Sequence, residues 1–302
     1  MKIAIAGGTG MVGHKFSKLL LANNHEVIVL TRGASRQENN IHYVQWLTKD
    51  AKPELHLENI DAFVNLAGVS LNDGRWTKNQ KNNIYSSRME STAEVLRILS
   101  VLPKKPHVLI NASAVGIYPI SETTIYTEQS SEIADDFLGT VVKHWEELAS
   151  QAEQLGIRTC IARFGVILAK DEGALPLMAL PYQLGVGGTV GSGRQWLSWV
   201  HIDDVVRALL FLIEHSDLSG PINITTPNVK RMKDFGKAIG AALNRPHWLP
   251  VPSIALKLAL GEKSVLVLEG QHVVPEKLLN AHFEFQFVSV QDAVEHLYRK
   301  SE

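Results

Sequence analysis

The sequence predicts an α/β protein: a doubly wound parallel sheet with a smaller, mostly helical C-terminal part on the substrate side. Three observations carry that expectation. Short strand-like runs alternate with amphipathic stretches of helical period through the first half. A glycine-rich turn, Gly7–Gly13, joins the first such run to the first amphipathic stretch. After Phe164 the texture changes, and Leu175–Gly193 holds seven Gly and Pro residues, the chemistry of loops and turns.

Taken in order, Lys2–Ala6 is the first strand. Met11–Asn23 follows, with Met11, Val12, Phe16, Leu19 and Leu20 at helical spacing. Glu26–Leu30, the weakly alternating Ile41–Trp46, and Asp61–Leu66 are the next strands. Lys78–Ser100 is a long helix stopped at Leu102-Pro103. His107–Asn111 is a strand, Asp136–Leu155 a helix ended by Gly156, and Ile157–Phe164 a strand. Trp196–His201 is a further strand, followed by a helix that Asp203 or Asp204 caps, and Ile222–Thr225 is a short strand. From Met232 on, helical runs are separated by loops containing Pro246, Pro250, Pro252 and Pro275. Repeated β-α-β units with right-handed crossovers give a parallel sheet covered on both faces. The expected division is a cofactor platform over residues 1–165 and a substrate-side region over 166–302 that shares some elements with the core.

Composition narrows the function classes. The 302 residues are 45% apolar and 20% charged, which excludes global disorder. Thirty basic and 31 acidic side chains give a net charge of −1, so neither nucleic acid nor a membrane surface is an expected partner. Cys160 is the sole cysteine, which excludes an intrachain disulfide and a cysteine-built zinc site. The 12 histidines form no H-E-x-x-H pattern, and no metal site is expected. With no signal-peptide pattern and no apolar run near about 20 residues, a cytoplasmic location is expected. The expected partners are an unidentified small molecule, with a second copy of the chain as a candidate.

Gly7-Gly8-Thr9-Gly10-Met11-Val12-Gly13 fits G-x-x-G-x-x-G between a strand and a helix. Such glycines allow a tight turn, let the backbone approach a pyrophosphate, and let the helix pack on the strand. The pyrophosphate then meets free N–H groups at the helix start. A plain turn is the competing explanation. After the second strand comes Thr31-Arg32, where NAD-selective sites carry an acidic residue. Arg32 can pair with a 2′-phosphate, which favours NADP(H) over NAD(H); a solvated surface arginine is the alternative. Asn65-Leu66-Ala67-Gly68 ends another strand, where small residues let a cofactor lie against backbone.

These features, with Ser113 at a strand end, resemble short-chain dehydrogenase/reductases of the extended, epimerase-like type. More narrowly, the chain resembles the atypical family described as NAD-dependent epimerase/dehydratase proteins with a C-terminal domain of unknown function. Some of these carry a cell-division-inhibitor-like label. The resemblance spans the chain and rests on the blocks Arg75–Thr92, Gly185–Asp204 and Leu268–Leu279. It implies a Rossmann core, NADP(H) binding and no particular substrate. It further implies that Thr31 and Arg32 meet the adenosine phosphate, and that Leu66 and Ala67 line the adenine-ribose path. Asn83 and Arg88 would face the cofactor, and Val166 and Ile167 would approach the nicotinamide.

One departure from that pattern concerns catalysis. Most such enzymes use Tyr-x-x-x-Lys, in which lysine lowers the phenol pKa. Here Gly139 stands four residues before Lys143; aligning on Glu146 instead gives Leu138 and Val142. Either way the pair is broken. The candidate catalytic residues are therefore Ser113, Tyr118 and Lys143. Trp199 and His201, on one face of a strand, are candidates for substrate binding. The expected function is an NADP(H)-binding oxidoreductase or epimerase acting on a small polar molecule. The alternatives are a non-catalytic NADP(H) sensor and, on the family label alone, a cell-division regulator.

Overall fold

The structure, a computed structural model, describes residues 1–298. Eight strands form one sheet: β1 (Lys2–Ala6), β2 (Glu26–Thr31), β3 (Arg36–Glu38), β4 (Ile41–Gln45), β5 (Ala62–Asn65), β6 (Val108–Ala114), β7 (Arg158–Phe164) and β8 (Gly220–Ile224). Their order is β8-β7-β6-β5-β1-β2-β4-β3. All neighbours pair parallel except β3, which runs antiparallel to β4 at the edge. The chain moves outward from β1 to β2 on one side, then returns to β5 on the other. That reversal opens a crevice at the C-terminal ends of β1 and β5, where doubly wound folds bind ligands.

Strand alternation sorts each residue to one of two cores. Ile3 and Ile5 pack with Phe16, Leu20, Val205 and Leu209 of α1 (Met11–Ala22) and α5 (Ile202–Glu214). Ala4 and Ala6 pack with Val95, Ile98 and Leu99 of α2 (Lys78–Val101) on the opposite face. Burial on both faces explains why these strands read as continuous apolar runs. A third core joins α4 (Leu175–Gln183) and α6 (Met232–Ala242) with Trp199 and the Val290–Tyr298 helix. Residues past 165 thus serve both regions: α5 and β8 return to the main sheet, while α4 and α6 build the C-terminal core.

Local structure differs from expectation in several places. Leu175–Gly193, expected as loop and turn, begins with the helix α4, whose first turn accommodates Pro176, and the exposed edge strand β3 was not expected. The helix expected over Asp136–Leu155 is α-helical over α3 (Phe137–Ala149), capped by Asp136, and continues as a 3₁₀ turn to Leu155. Trp196–His201 is two short strands. Trp196–Leu197 pairs antiparallel with Lys230–Arg231, and Trp199–His201 pairs parallel with Val166–Leu168. The cap of α5 is His201 rather than Asp203 or Asp204: its Nδ1 accepts the Asp203 N–H at 3.0 Å. Asp204 is instead buried, accepting the backbone N–H groups of Gln286 and Phe287 at 2.8 and 2.9 Å.

Candidate functional site

The site is built from the C-terminal ends of β1, β5, β6 and β7. Gly7 leaves β1 at φ +75°, a conformation that costs glycine little, and an added Cβ would lie 2.7 Å from the Leu66 carbonyl. At Gly13 a Cβ would lie 2.5 Å from both the Gly7 oxygen and the Gly8 Cα. The first turn of α1 therefore packs directly on the glycine turn. No side chain caps α1, so the N–H groups of its first turn stay available, with Thr9 and Gly10 exposed beside them. This is a cradle for an anion.

Thr31 closes β2, and its Oγ1 accepts the Gly33 N–H at 3.1 Å. That bond turns the chain so that Arg32 is exposed beyond the strand end. Among the described residues Arg32 has no carboxylate partner. The nearby Arg36 is committed, 3.0 Å from Glu38 and stacked 3.9 Å over the Tyr43 ring.

The turn after β5 is clamped from below. Buried Asn65 donates to Asn111 Oδ1 at 2.7 Å and to Thr92 Oγ1 at 3.1 Å, while its own Oδ1 accepts the Ala67 N–H at 3.2 Å. Leu66 and Ala67 are half-buried and Gly68 is exposed. The Arg88 guanidinium lies against Gly68, where a Cβ would come within 3.3 Å of Cζ, and sits 5.1 Å from the Trp145 ring centre. Its Nη1 donates to the carbonyls of Ile84 and Val69 at 2.9 and 3.1 Å. Burial pulls the Arg88 pKa down to about 10, and no carboxylate offsets it. Arg88 is thus a cation held at the crevice without a counter-ion among the described residues. Asn83 is exposed and lies about 140° away around the helix, so the structure does not bring it to Arg88.

At the ends of β6, β7 and β8, sheet register places Ser113, Arg163 and Asn223 in one row. Glu146 of α3 reaches down to it. Arg163 donates to both Glu146 oxygens, at 2.8 and 2.7 Å, and its Nη1 donates to the Tyr118 oxygen at 2.8 Å. An ionised carboxylate only accepts, so the Ser113 hydroxyl donates to Glu146 Oε1. Ser113 itself lies within β6, which runs on to Ala114 instead of ending at Asn111 as the sequence suggested. Its proton is committed, which leaves the oxygen's lone pairs as acceptors.

Tyr118 is fully enclosed, stacked on Tyr126 and bonded to Asn223 Oδ1 at 2.9 Å. Burial raises its pKa above the ordinary phenol value, which keeps it neutral. The structure thus assigns Tyr118 to the network under the strand ends rather than to an open cleft. Lys143 is half-exposed and lies 3.9 Å from Glu147. Where the partner tyrosine would stand, a Cβ on Gly139 would fall 2.1 Å from the Ala134 oxygen. The 134 segment therefore fills that place, and the broken pair is a feature of packing as well as of sequence. Val166 and Ile167 follow β7 and are half-buried.

Trp199 and His201 are both completely buried in the C-terminal core, and His201 stacks 3.8 Å from Phe287. Neither presents an open pocket wall. His201, Asp203 and His296 have potential ligand atoms within 4.8 Å of one another. However, His201 Nδ1 is engaged in the helix cap, and Asp203 meets Lys15 at 2.5 Å.

Burial lowers the His201 pKa from 6.5 to about 4. The unfolded chain therefore binds this proton more readily than the folded one. Its contribution to stability is complete above pH 6.5 and is lost as the pH falls toward about 4. His201→Asn keeps a cap acceptor and removes the titration. Urea midpoints across that pH range should fall less steeply in the variant than in the parent; equal slopes would assign the loss to other groups.

Sequence reasoning missed Glu146 as a functional group and missed Arg163 entirely. The signal available was a charge inside the apolar run Thr159–Phe164, which must find a partner when the strand is buried.

The model of the NAD dependent epimerase/dehydratase family matches residues 3–225, and a domain of unknown function (DUF1731) matches residues 251–297. The chain is 45% identical to the epimerase family protein YfhF of Bacillus subtilis over 298 residues, covering 98% of each chain. Among solved structures it is similar to the human epimerase family protein SDR39U1 with NADPH, at TM-score 0.87 and 30% identity, covering 98% of this chain and 99% of that one. It also shares the fold of UDP-N-acetylglucosamine 4-epimerase from Bacillus cereus, at TM-score 0.78 and 17% identity, covering 98% of both.

Proposed function

The chain belongs to the NAD-dependent epimerase/dehydratase family, and on that premise we propose that it binds NADP(H) in preference to NAD(H) and acts as an oxidoreductase or epimerase on a small polar substrate. One observation carries the proposal: an uncapped helix start packed on a glycine turn at the sheet crevice, with unpaired Arg32 at the neighbouring strand end. A dinucleotide fits that cradle because the turn has no side chain to fill it and the helix start supplies N–H groups. The NADPH in the human relative supports the same choice of cofactor.

In this account the N–H groups of Met11, Val12 and Gly13 hold the pyrophosphate. Arg32 pairs with the 2′-phosphate beside Thr31. Leu66, Ala67 and Gly68 give a flat backbone surface along the cofactor, and Arg88 adds a cation at its edge. Val166 and Ile167 wall the nicotinamide end. When bound, the nicotinamide supplies or accepts the hydride. Ser113, its proton held by Glu146, accepts a hydrogen bond from a substrate hydroxyl and so orients it. Glu146 and Arg163 are positioning residues in this scheme. A cytoplasmic location belongs to the same proposal; no helix among the described residues is long and apolar enough to cross a membrane.

The cofactor preference is tested by Arg32→Ala. A charge-assisted bond to phosphate contributes about 1.5–3 kcal/mol, so NADPH affinity should fall roughly 10- to 100-fold. NADH has no 2′-phosphate, and its affinity should stay within a factor of about two. Calorimetric titration of both nucleotides reads the difference. Equal losses would overturn the preference.

A further inference from the structure

Residues 251–270 form an arm with a firm root. At its start the Val251 N–H donates to the Thr189 carbonyl at 2.8 Å, and the Val251 carbonyl accepts the Gly191 N–H at 3.0 Å. The chain returns to the same turn at its end. Buried Gln195 donates to the Val267 carbonyl at 2.8 Å, and the Gly270 carbonyl accepts the Ser121 N–H at 3.2 Å. A Cβ on Gly270 would fall 1.9 Å from the Trp196 oxygen, so this end packs directly on backbone. Ser198 then donates to the Gln271 carbonyl at 2.7 Å, while the Ser198 carbonyl accepts the Val166 N–H at 2.8 Å. The root therefore stands beside Val166, on the β7 side of the crevice.

The tip of the arm rests on the β5 side. The chain that leaves β5 passes Gly68 and reaches α2 through residues 70–77. Arg75 in this stretch donates to the carbonyls of Leu258 and Ala259 at 3.3 and 2.9 Å. Lys263 donates to the carbonyls of Asn72 and Gly74 at 2.5 and 3.3 Å, and Lys81 of α2 pairs with Glu262. Among the described residues neither Arg75 nor Lys263 has a carboxylate partner. The Ser253–Leu260 helix, which carries the tip, has no buried residue. Long side chains at the surface hold weakly, whereas backbone bonds and close packing hold the root. A segment anchored in this way opens at its tip at low cost, and lids are drawn from such segments.

Sheet order fixes what lies between root and tip. β6 stands between β7 and β5, and Ser113 is near its C-terminal end. We propose that the 251–270 arm is a lid: docked on residues 72–81 it closes the crevice over the reactive half of the bound dinucleotide, and undocked it admits and releases that nucleotide. The lid rests on the cofactor reading given above. Arg75, Glu262 and Lys263 are its latch, and none of them belongs to the nucleotide cradle.

The test is hydrogen–deuterium exchange of the full chain, free and saturated with NADPH, joined to stopped-flow release of NADPH. Exchange of peptides from residues 253–264 should slow about tenfold when NADPH is bound, since nucleotide and docked tip stabilise each other. Arg75→Ala combined with Lys263→Ala should speed exchange of these peptides in the free protein. The same variant should release NADPH about five- to tenfold faster than the parent. Its melting temperature should match the parent's, because the latch contacts lie at the surface. Exchange over 253–264 that does not respond to bound NADPH, or release from the variant at the parent rate, would overturn the lid and leave the cofactor reading standing. A parent that binds neither NADPH nor NADH would overturn the cofactor reading and the lid with it.

Discussion

Gly13→Ala is expected to lower NADPH affinity by about 100-fold or more, equivalent to roughly 2.7 kcal/mol. The added methyl would meet the Gly7 oxygen and the Gly8 Cα at 2.5 Å, and both are backbone atoms that no rotamer change can move aside. Either α1 shifts away from the turn or the turn opens. In both cases the N–H groups of the first helical turn no longer converge on one point, and the anion cradle is lost. Overpacking of this kind also costs about 1–3 kcal/mol of stability, so folding must be checked by far-ultraviolet dichroism before affinity is read. Fluorescence titration of NADPH against a folded variant then decides the matter. Parent-like affinity would show that the cradle does not hold the cofactor.

Arg163→Leu is expected to destabilise the fold by about 3–5 kcal/mol, because it strands the Glu146 carboxylate in a largely buried place. Two of that carboxylate's bonds, at 2.8 and 2.7 Å, come from Arg163 and disappear together. The Tyr118 oxygen loses its Arg163 donor at the same time. Replacing both charges, Glu146→Leu with Arg163→Leu, should recover part of the loss, since an absent pair costs less than a half-absent one. Urea denaturation of the parent, the two single variants and the double variant measures the coupling. A loss below about 1 kcal/mol for Arg163→Leu would show that the pair is solvated and holds nothing in place.

The contrast between these two experiments follows how each part could be read from sequence. The glycine turn is local: Gly7 to Gly13 spans seven residues, and its strand-then-helix setting is visible in the periodicity on either side. The parallel strands were legible for the same reason, because each carries its own run of apolar residues, whereas the antiparallel edge strand β3, Arg-Gln-Glu and exposed throughout, carries none and was not read. The Ser113–Glu146–Arg163 unit is different. Its members are separated by 33 and 17 residues, and they meet only because β6 and β7 pair in one particular register. Nothing near Glu146 distinguishes it from an exposed helix carboxylate such as Glu147.

Tyr118 illustrates the opposite case. A tyrosine just past a strand end reads as a cleft residue, but the Thr127 and Asn223 segments close over it and burial keeps it neutral. His201 was placed on a strand face correctly, yet its ring turns into the cap of α5, a role sequence preference gives to aspartate. For Tyr118 long-range packing, which no local pattern encodes, decided the surroundings; for His201 it was a bond two residues along the chain together with stacking on Phe287.

One crevice, at the ends of β1, β2, β5 and β6, is proposed to hold NADP(H) with its reactive end toward Ser113. A crystal structure of the protein with NADPH tests it most directly. Pyrophosphate oxygens are expected on the N–H groups of Met11–Gly13, the 2′-phosphate in hydrogen-bond reach of Arg32, and the nicotinamide between Ser113 and Val166. A nucleotide bound away from the Gly7–Gly13 turn, or a 2′-phosphate facing away from Arg32, would contradict it.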